Sequence, residues 1–227
     1  MTTEFTEALA AAGIAHLCER FGLVIVPKRG AIEMQVAAGV LGLAGVVPSQ
    51  TFLDHYSTTV GRAVFLAEIP DPWARFGVVA HEAQHAHDAD ASLGDAAPFV
   101  HAAESLVAQV AAILGVPGDP RVRAAELDAL CPWSWRMARY SWDRAVGEGR
   151  AYSVQRDLGY WRTGELLPLD VIGGSLDHYA LGRDGQTALD TLETLGASTV
   201  RGGAIMPASR VALAWLDAHW PEGRHAP

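Results

Sequence analysis

Apolar residues recur at helical spacing along most of this chain and at strand-like spacing in two short stretches near the N-terminal end. From Thr6 to Arg20 the pattern predicts a helix, with Phe5, Leu9, Ala12 and Leu17 near one face and Gly22 as the stop. Leu23 to Val26 is a brief apolar run closed by Pro27, consistent with a strand. Glycines weaken the periodicity of residues 31–46, where helix is favoured over strand. Thr58 to Ala67, TTVGRAVFLA, is rich in β-branched and aromatic residues and reads as a strand or a bent hairpin. Pro70, Asp71 and Pro72 then halt extended structure. Asp71 suits the N-cap and Pro72 the first position of a helix expected to reach about Asp90.

The remainder is helical in pattern. Helices are expected from Pro98 to about Leu114, from Trp133 to about Leu158, and over shorter spans near 186–195 and 208–219. Gly173-Gly174 reads as the opening of a loop, and the tail PEGRHAP as frayed. Neither an internal repeat nor a linker interrupts the chain. The expectation is a single α+β domain over residues 1–227, mostly helical. Its sheet-containing part reaches to about residue 90, and a helical remainder begins at about 98.

Half of the 227 residues are hydrophobic and only 19% are charged, which is enough apolar surface for a sizeable core. The net charge of −9, with no dense Lys/Arg cluster, argues against a nucleic-acid partner. Cys18 and Cys131 do not form a disulfide framework or a zinc-ribbon spacing, and read as free thiols. The N-terminus carries Glu4 and Glu7 where a secretory signal would be basic. Val36 to Val47, the most apolar stretch, is too short to span a bilayer. A protein acting inside a cell or inside a particle, away from membranes, is therefore expected.

The chemistry concentrates in His81-Glu82-Ala83-Gln84-His85. Two histidines four apart on a helix lie one turn apart on one face and can share a metal. Glu82 sits at the flank of that face, where it can take a proton from a water that zinc has acidified to a pKa near 7. Three fixed residues also occur by chance, but the setting strengthens the pattern. Ala74, Val78, His81, His85 and Asp88 form one stripe, while Trp73, Phe76, Val79, Ala80 and Ala83 supply packing elsewhere. The bland alternative is a surface helix with solvated histidines.

The stretch from Tyr56 to Asp88, YSTTVGRAVFLAEIPDPWARFGVVAHEAQHAHD, resembles the zincin metallopeptidases. That resemblance implies a minimal zincin-like fold with a small sheet packed on the HExxH helix, and one zinc ion. It also implies a strand, matched in order by Thr59 to Ala67, along whose edge a peptide or protein substrate lies extended.

A catalytic zinc takes three protein ligands, and four residues compete to join His81 and His85. Glu148 stands in Glu148-Gly149-Arg150-Ala151-Tyr152, which resembles the gluzincin pattern and the E-x-x-A-Y of short phage and bacterial members. By that resemblance Glu148 is the third ligand, and Ala151 is the small residue that lets two helices approach. Without it, Glu148 is an exposed helical residue paired with Arg144. Glu104 has the short spacing of thermolysin-like enzymes but lies on a face well explained by solvation. Asp88 suits a hydrogen bond to a ligand better than ligation. His87 is about 200° round the helix from His85 and points elsewhere. Asp88 also stands where metzincins carry glycine, and no downstream histidine completes their motif.

Zincins often place a Tyr or His donor beside the developing oxyanion, and Tyr152 and His178 are the candidates here, each with an ordinary role in the core or in a loop as its alternative. The histidines at 16, 55, 101, 219 and 225 have no ligand spacing. The leading expectation is a zinc metallopeptidase. The alternative is a structural or assembly component, for example of a phage-like particle, that keeps a zinc-binding zincin domain and engages protein partners through aromatics near residues 133–161. A metal-free scaffold with a coincidental motif is the third possibility.

Overall fold

A computed structural model describes residues 4–31, 34–35, 50, 53–54, 57–94, 140–176, 181 and 184–225. The architecture is α+β and mostly helical, with one small sheet. The expected helix at 98–114, and most of the one at 31–46, lie outside the described residues. The chain divides into two compact units.

One unit comprises residues 21–68 and 86–139 and contains the sheet. Strand β1 (Val24–Pro27) pairs in parallel with β3 (Ala63–Leu66), and β2 (Thr58–Val60) pairs antiparallel with β3, giving the order β1-β3-β2. The stretch Thr58 to Ala67 is thus a hairpin whose turn passes through Gly61 at φ 61°, a left-handed conformation that favours glycine. The centre of β3 is fully buried at Ala63, Val64 and Phe65. Ala63 and Phe65 pack with Ala31, Met34 and Leu53. Lys28 is buried in the same unit and its ammonium donates to Thr58 Oγ1 at 2.8 Å.

The other unit comprises residues 1–20, 69–85 and 140–227 and is helical. Helix α1 (Glu7–Phe21) buries Ala10, Gly13 and Leu17. Helix α2 (Pro72–Leu93) carries the HExxH motif. Helices α3 (Ser141–Thr163), α4 (Leu169–Leu176), α5 (Gly185–Val200) and α6 (Pro207–His219) follow. An aromatic cluster joins Phe5, Trp73, Phe76, Trp161, Trp215 and Trp220, with ring centroids 4.9–6.5 Å apart. Its members come from α1's approach, α2, α3 and α6. Arg162 lies over the Trp73 ring at 4.8 Å, closing the cluster by a cation–π contact. A second cluster, Ala145, Ile172, Leu176, Leu181, Ala188 and Leu192, joins α3, α4 and α5.

Three expectations need correction. Gly173-Gly174 does not open a loop. Both residues lie inside α4, where burial of Ile172 and Leu176 outweighs the weak helix propensity of glycine. The helix predicted from Trp133 to Leu158 runs instead from Ser141 to Thr163 within the described residues. Tyr140 is extended, with φ −116° and ψ 121°, and Gly164 caps the far end in the left-handed region. The tail is not frayed through residue 225. Pro221–Gly223 form a 3-10 turn, and His225 directs both its backbone N–H and its ring Nδ1 to the Trp161 carbonyl, at 3.1 and 2.8 Å.

Helices α3 and α5 approach closely at Gly149. A Cβ on Gly149 would stand 2.9 Å from Thr191 Cβ and 3.0 Å from the Ala188 carbonyl oxygen of α5. Gly159, on the same helix, would meet nothing within 4 Å. Gly149→Ala should therefore destabilise the protein by about 1–3 kcal/mol through overpacking. Gly159→Ala should stabilise it by about 0.5–1 kcal/mol through helix propensity. Urea unfolding of the two variants beside the parent checks the opposite signs.

Candidate metal centre

The phase of α2 is set at its start. The Asp71 carboxylate accepts the Ala74 N–H at 2.6 Å, as an N-cap should, and Pro72 occupies the first helical position. Arg75 donates to the Ile69 carbonyl at 3.0 Å and forms an ion pair with Glu7 of α1. With the start held, Phe76, Val79, Ala80 and Ala83 become fully buried. His81 and His85 lie on the neighbouring stripe of the helix and are themselves buried, at 4% and 6% exposure.

Glu148 comes from α3. Its neighbours one turn either side, Ala145 and Ala151, are fully buried, so the carboxylate faces inward at 5% exposure. An exposed Glu148 paired with Arg144 is thereby ruled out. The carboxylate straddles the two histidines: Oε2 lies 3.5 Å from His81 Nε2, and Oε1 lies 3.5 Å from His85 Nε2. The two Nε2 atoms are 3.2 Å apart, with the rings edge-to-face.

These separations fit a shared cation. Two ligand atoms about 2.0–2.1 Å from one tetrahedral ion stand roughly 3.3 Å apart. Two neutral imidazole nitrogens that approach this closely repel through their lone pairs unless a proton or a cation lies between them. Glu148 Oε2 and His81 Nδ1 are also buried without a hydrogen bond among the described residues. A buried carboxylate in that condition is costly unless a positive charge compensates it. The His81, His85 and Glu148 group is buried, its ligand atoms lie within 4.8 Å of one another, and it can hold a metal ion. Among the described residues no other His, Cys, Asp or Glu cluster meets that condition.

The other expected site residues fall as follows. Glu82 is buried on α2, at 6% exposure, between the two histidines in sequence. Tyr152, one turn beyond Glu148, brings its ring edge-to-face against His81, with centroids 4.7 Å apart. Asp88 is buried farther along α2. His87 turns to the Phe21 ring, at 6.2 Å, in keeping with its expected exclusion from the ligand set. His178 and Glu104 lie outside the described residues. Gln84 was not singled out by its pattern, yet it is fully buried and its side-chain oxygen accepts the Ala208 N–H of α6 at 3.3 Å. An uncharged polar residue inside the buried part of a helix was the available signal. No described helix is long and apolar enough to cross a membrane.

Compared with family models, curated proteins and solved structures, the chain matches none.

Two outcomes follow from this geometry. A divalent cation that occupies this group, at about 100 times its dissociation constant, should stabilise the parent by about 2.7 kcal/mol, and His85→Ala or Glu148→Ala should lose most of that gain in a thermal melt. The second concerns acid. Burial by itself would raise the Glu148 carboxyl, but the charge of His85 and the ring nitrogens of His81 and His85 facing it outweigh that and hold the group at about 2, against an ordinary 4.5. A carboxyl lowered on folding contributes stability that is present above its unfolded value and lost as pH falls through its folded value. The metal-free protein should therefore lose stability between pH 4.5 and about 2. In Glu148→Gln that segment of a stability-against-pH curve should be flatter.

Proposed function

We propose that this chain is a zinc-dependent metallopeptidase of gluzincin type, with His81, His85 and Glu148 as the ligands of one zinc ion. The observation that carries the reading is the convergence of two histidines from an HExxH helix and a carboxylate from a separate helix on one buried point. Three ligands among the described residues favour a catalytic over a structural zinc, which is commonly closed by four. Zinc held there would act as a Lewis acid on a peptide carbonyl and bring the pKa of water to about 7.

The remaining chemistry belongs to the side chains. Glu82 accepts a proton from the attacking water on a carboxylate oxygen and delivers it to the leaving nitrogen as the C–N bond breaks. Its place directly after His81 sets its carboxylate about 100° round the helix from that ligand, beside it and not in competition with it. Tyr152, already in contact with the His81 ring, is suited to donate its phenolic O–H to the oxyanion. His178 is the other candidate for that donor. The substrate is a peptide or protein.

Depth favours a second reading. The ligands and Glu82 are all at most 6% exposed, as suits a zinc that only stabilises the fold of a structural or particle-assembly component. Tyr140 and Trp142, about half exposed at the start of α3, would fit a partner surface in that case.

Glu82→Gln separates the two. For the peptidase, hydrolysis of a quenched fluorescent peptide library by zinc-loaded protein should fall by about 10²–10⁴-fold while zinc content is unchanged. A parent with full zinc and no hydrolysis above that of Glu82→Gln would favour the structural role.

A further inference from the structure

Helix α6 begins without a cap of its own. Met206 occupies its N-cap and offers no side-chain acceptor, and Pro207 has no N–H to donate. The next donor, the Ala208 N–H, is fully buried, and the side-chain oxygen of Gln84 accepts it at 3.3 Å. Gln84 thus serves α6 as a Ser or Asp at the N-cap normally would, from a different helix. It does so from the turn of α2 that lies between His81 and His85.

Helix α3 is fixed by a second buried contact. Asp157, at 3% exposure, accepts the Thr199 hydroxyl of α5. Asp157 lies on the helix that carries Glu148. The helix of the two histidines is therefore tied to the start of α6, and the helix of the carboxylate to α5. Neither Gln84 nor Asp157 is part of the His81, His85 and Glu148 group.

We propose that Gln84 and Asp157 are positioning residues of the metal centre: Gln84 holds α2 against the first turn of α6 and Asp157 holds α3 against α5, so that His81, His85 and Glu148 converge. The proposal rests on the zinc reading above. Loss of the Gln84 oxygen leaves the buried Ala208 N–H without its acceptor and frees α2 to rotate or slide. A small displacement of either helix separates ligand atoms that must stay within about 3.3 Å of one another.

The test uses the full chain as Gln84→Met, Gln84→Glu and Asp157→Asn, with Leu17→Ala as a packing control on α1, which carries none of the three residues. Zinc affinity is measured by competition with a chromophoric chelator, the visible bands of the cobalt-loaded protein report ligand geometry, and metal-free melting temperature reports stability. Gln84→Met should weaken zinc binding by about tenfold or more and shift the cobalt bands. Gln84→Glu, which keeps an acceptor oxygen, should restore both. Leu17→Ala should lower the melting temperature without moving the bands. If Gln84→Met does not fold, Asp157→Asn carries the same expectation from α3. The proposal is overturned if Gln84→Met binds zinc as the parent does with unchanged bands, if Gln84→Glu fails equally, or if Leu17→Ala reproduces the loss. A parent that binds neither zinc nor cobalt would instead remove the zinc reading itself, along with this inference.

Discussion

A buried carboxylate facing two buried imidazoles is the contact on which the rest of the helical unit depends. Glu148 has left water, and its oxygens lie 3.5 Å from the Nε2 atoms of His81 and His85. An ionised carboxylate buried in this way is costly by several kcal/mol unless positive charge compensates it. In the metal-free protein the two facing histidines hold the Glu148 carboxyl well below its usual range. A divalent cation would supply the compensating charge more completely, and it would also remove the repulsion between two nitrogens 3.2 Å apart. Folding and metal binding are in this sense one problem, solved at the same three side chains.

Convergence on that scale requires α2 and α3 to keep their rotation and height to a fraction of an ångström, and the packing around them is built accordingly. Gly149 lets α3 settle against α5 at a distance that a methyl group would prevent. Gly13 does the same for α1, where an added Cβ would stand 2.7 Å from the Phe76 ring of α2. Large aromatic rings from α2, α3 and α6 pack against one another and leave little freedom to rearrange. Trp161 further ties α3 to α6 by donating its indole N–H to Asp217 at 2.8 Å.

Much of this was legible where the signal is local. Asp71-Pro72 announces the start of α2 by its own chemistry, and the cap forms as expected. His81 and His85 share a face because a helix puts residues four apart together, which needs no knowledge of the rest of the chain. The hairpin at Thr58 to Ala67 follows from β-branched residues around Gly61. Glu148 is different in kind. Nothing in its spacing from His85 carries distance, and only the resemblance of Glu148 to Tyr152 to a known pattern pointed to it. Where burial and long-range contact decide, local reading fails. Gly173-Gly174 is helical because Ile172 and Leu176 are buried, and the tail is held because His225 reaches the Trp161 carbonyl. Gln84 and Asp157 went unnoticed because their partners, Ala208 and Thr199, are remote in sequence.

The central claim is that His81, His85 and Glu148 bind one zinc ion. An anomalous-difference map at the zinc edge, from a crystal of the full chain grown with zinc, tests it most directly. The account expects one strong peak bonded to both Nε2 atoms and to the Glu148 carboxylate at about 2.0–2.2 Å. A crystal grown at saturating zinc with no peak between these residues, or with zinc bound elsewhere while the three face only one another, would contradict it.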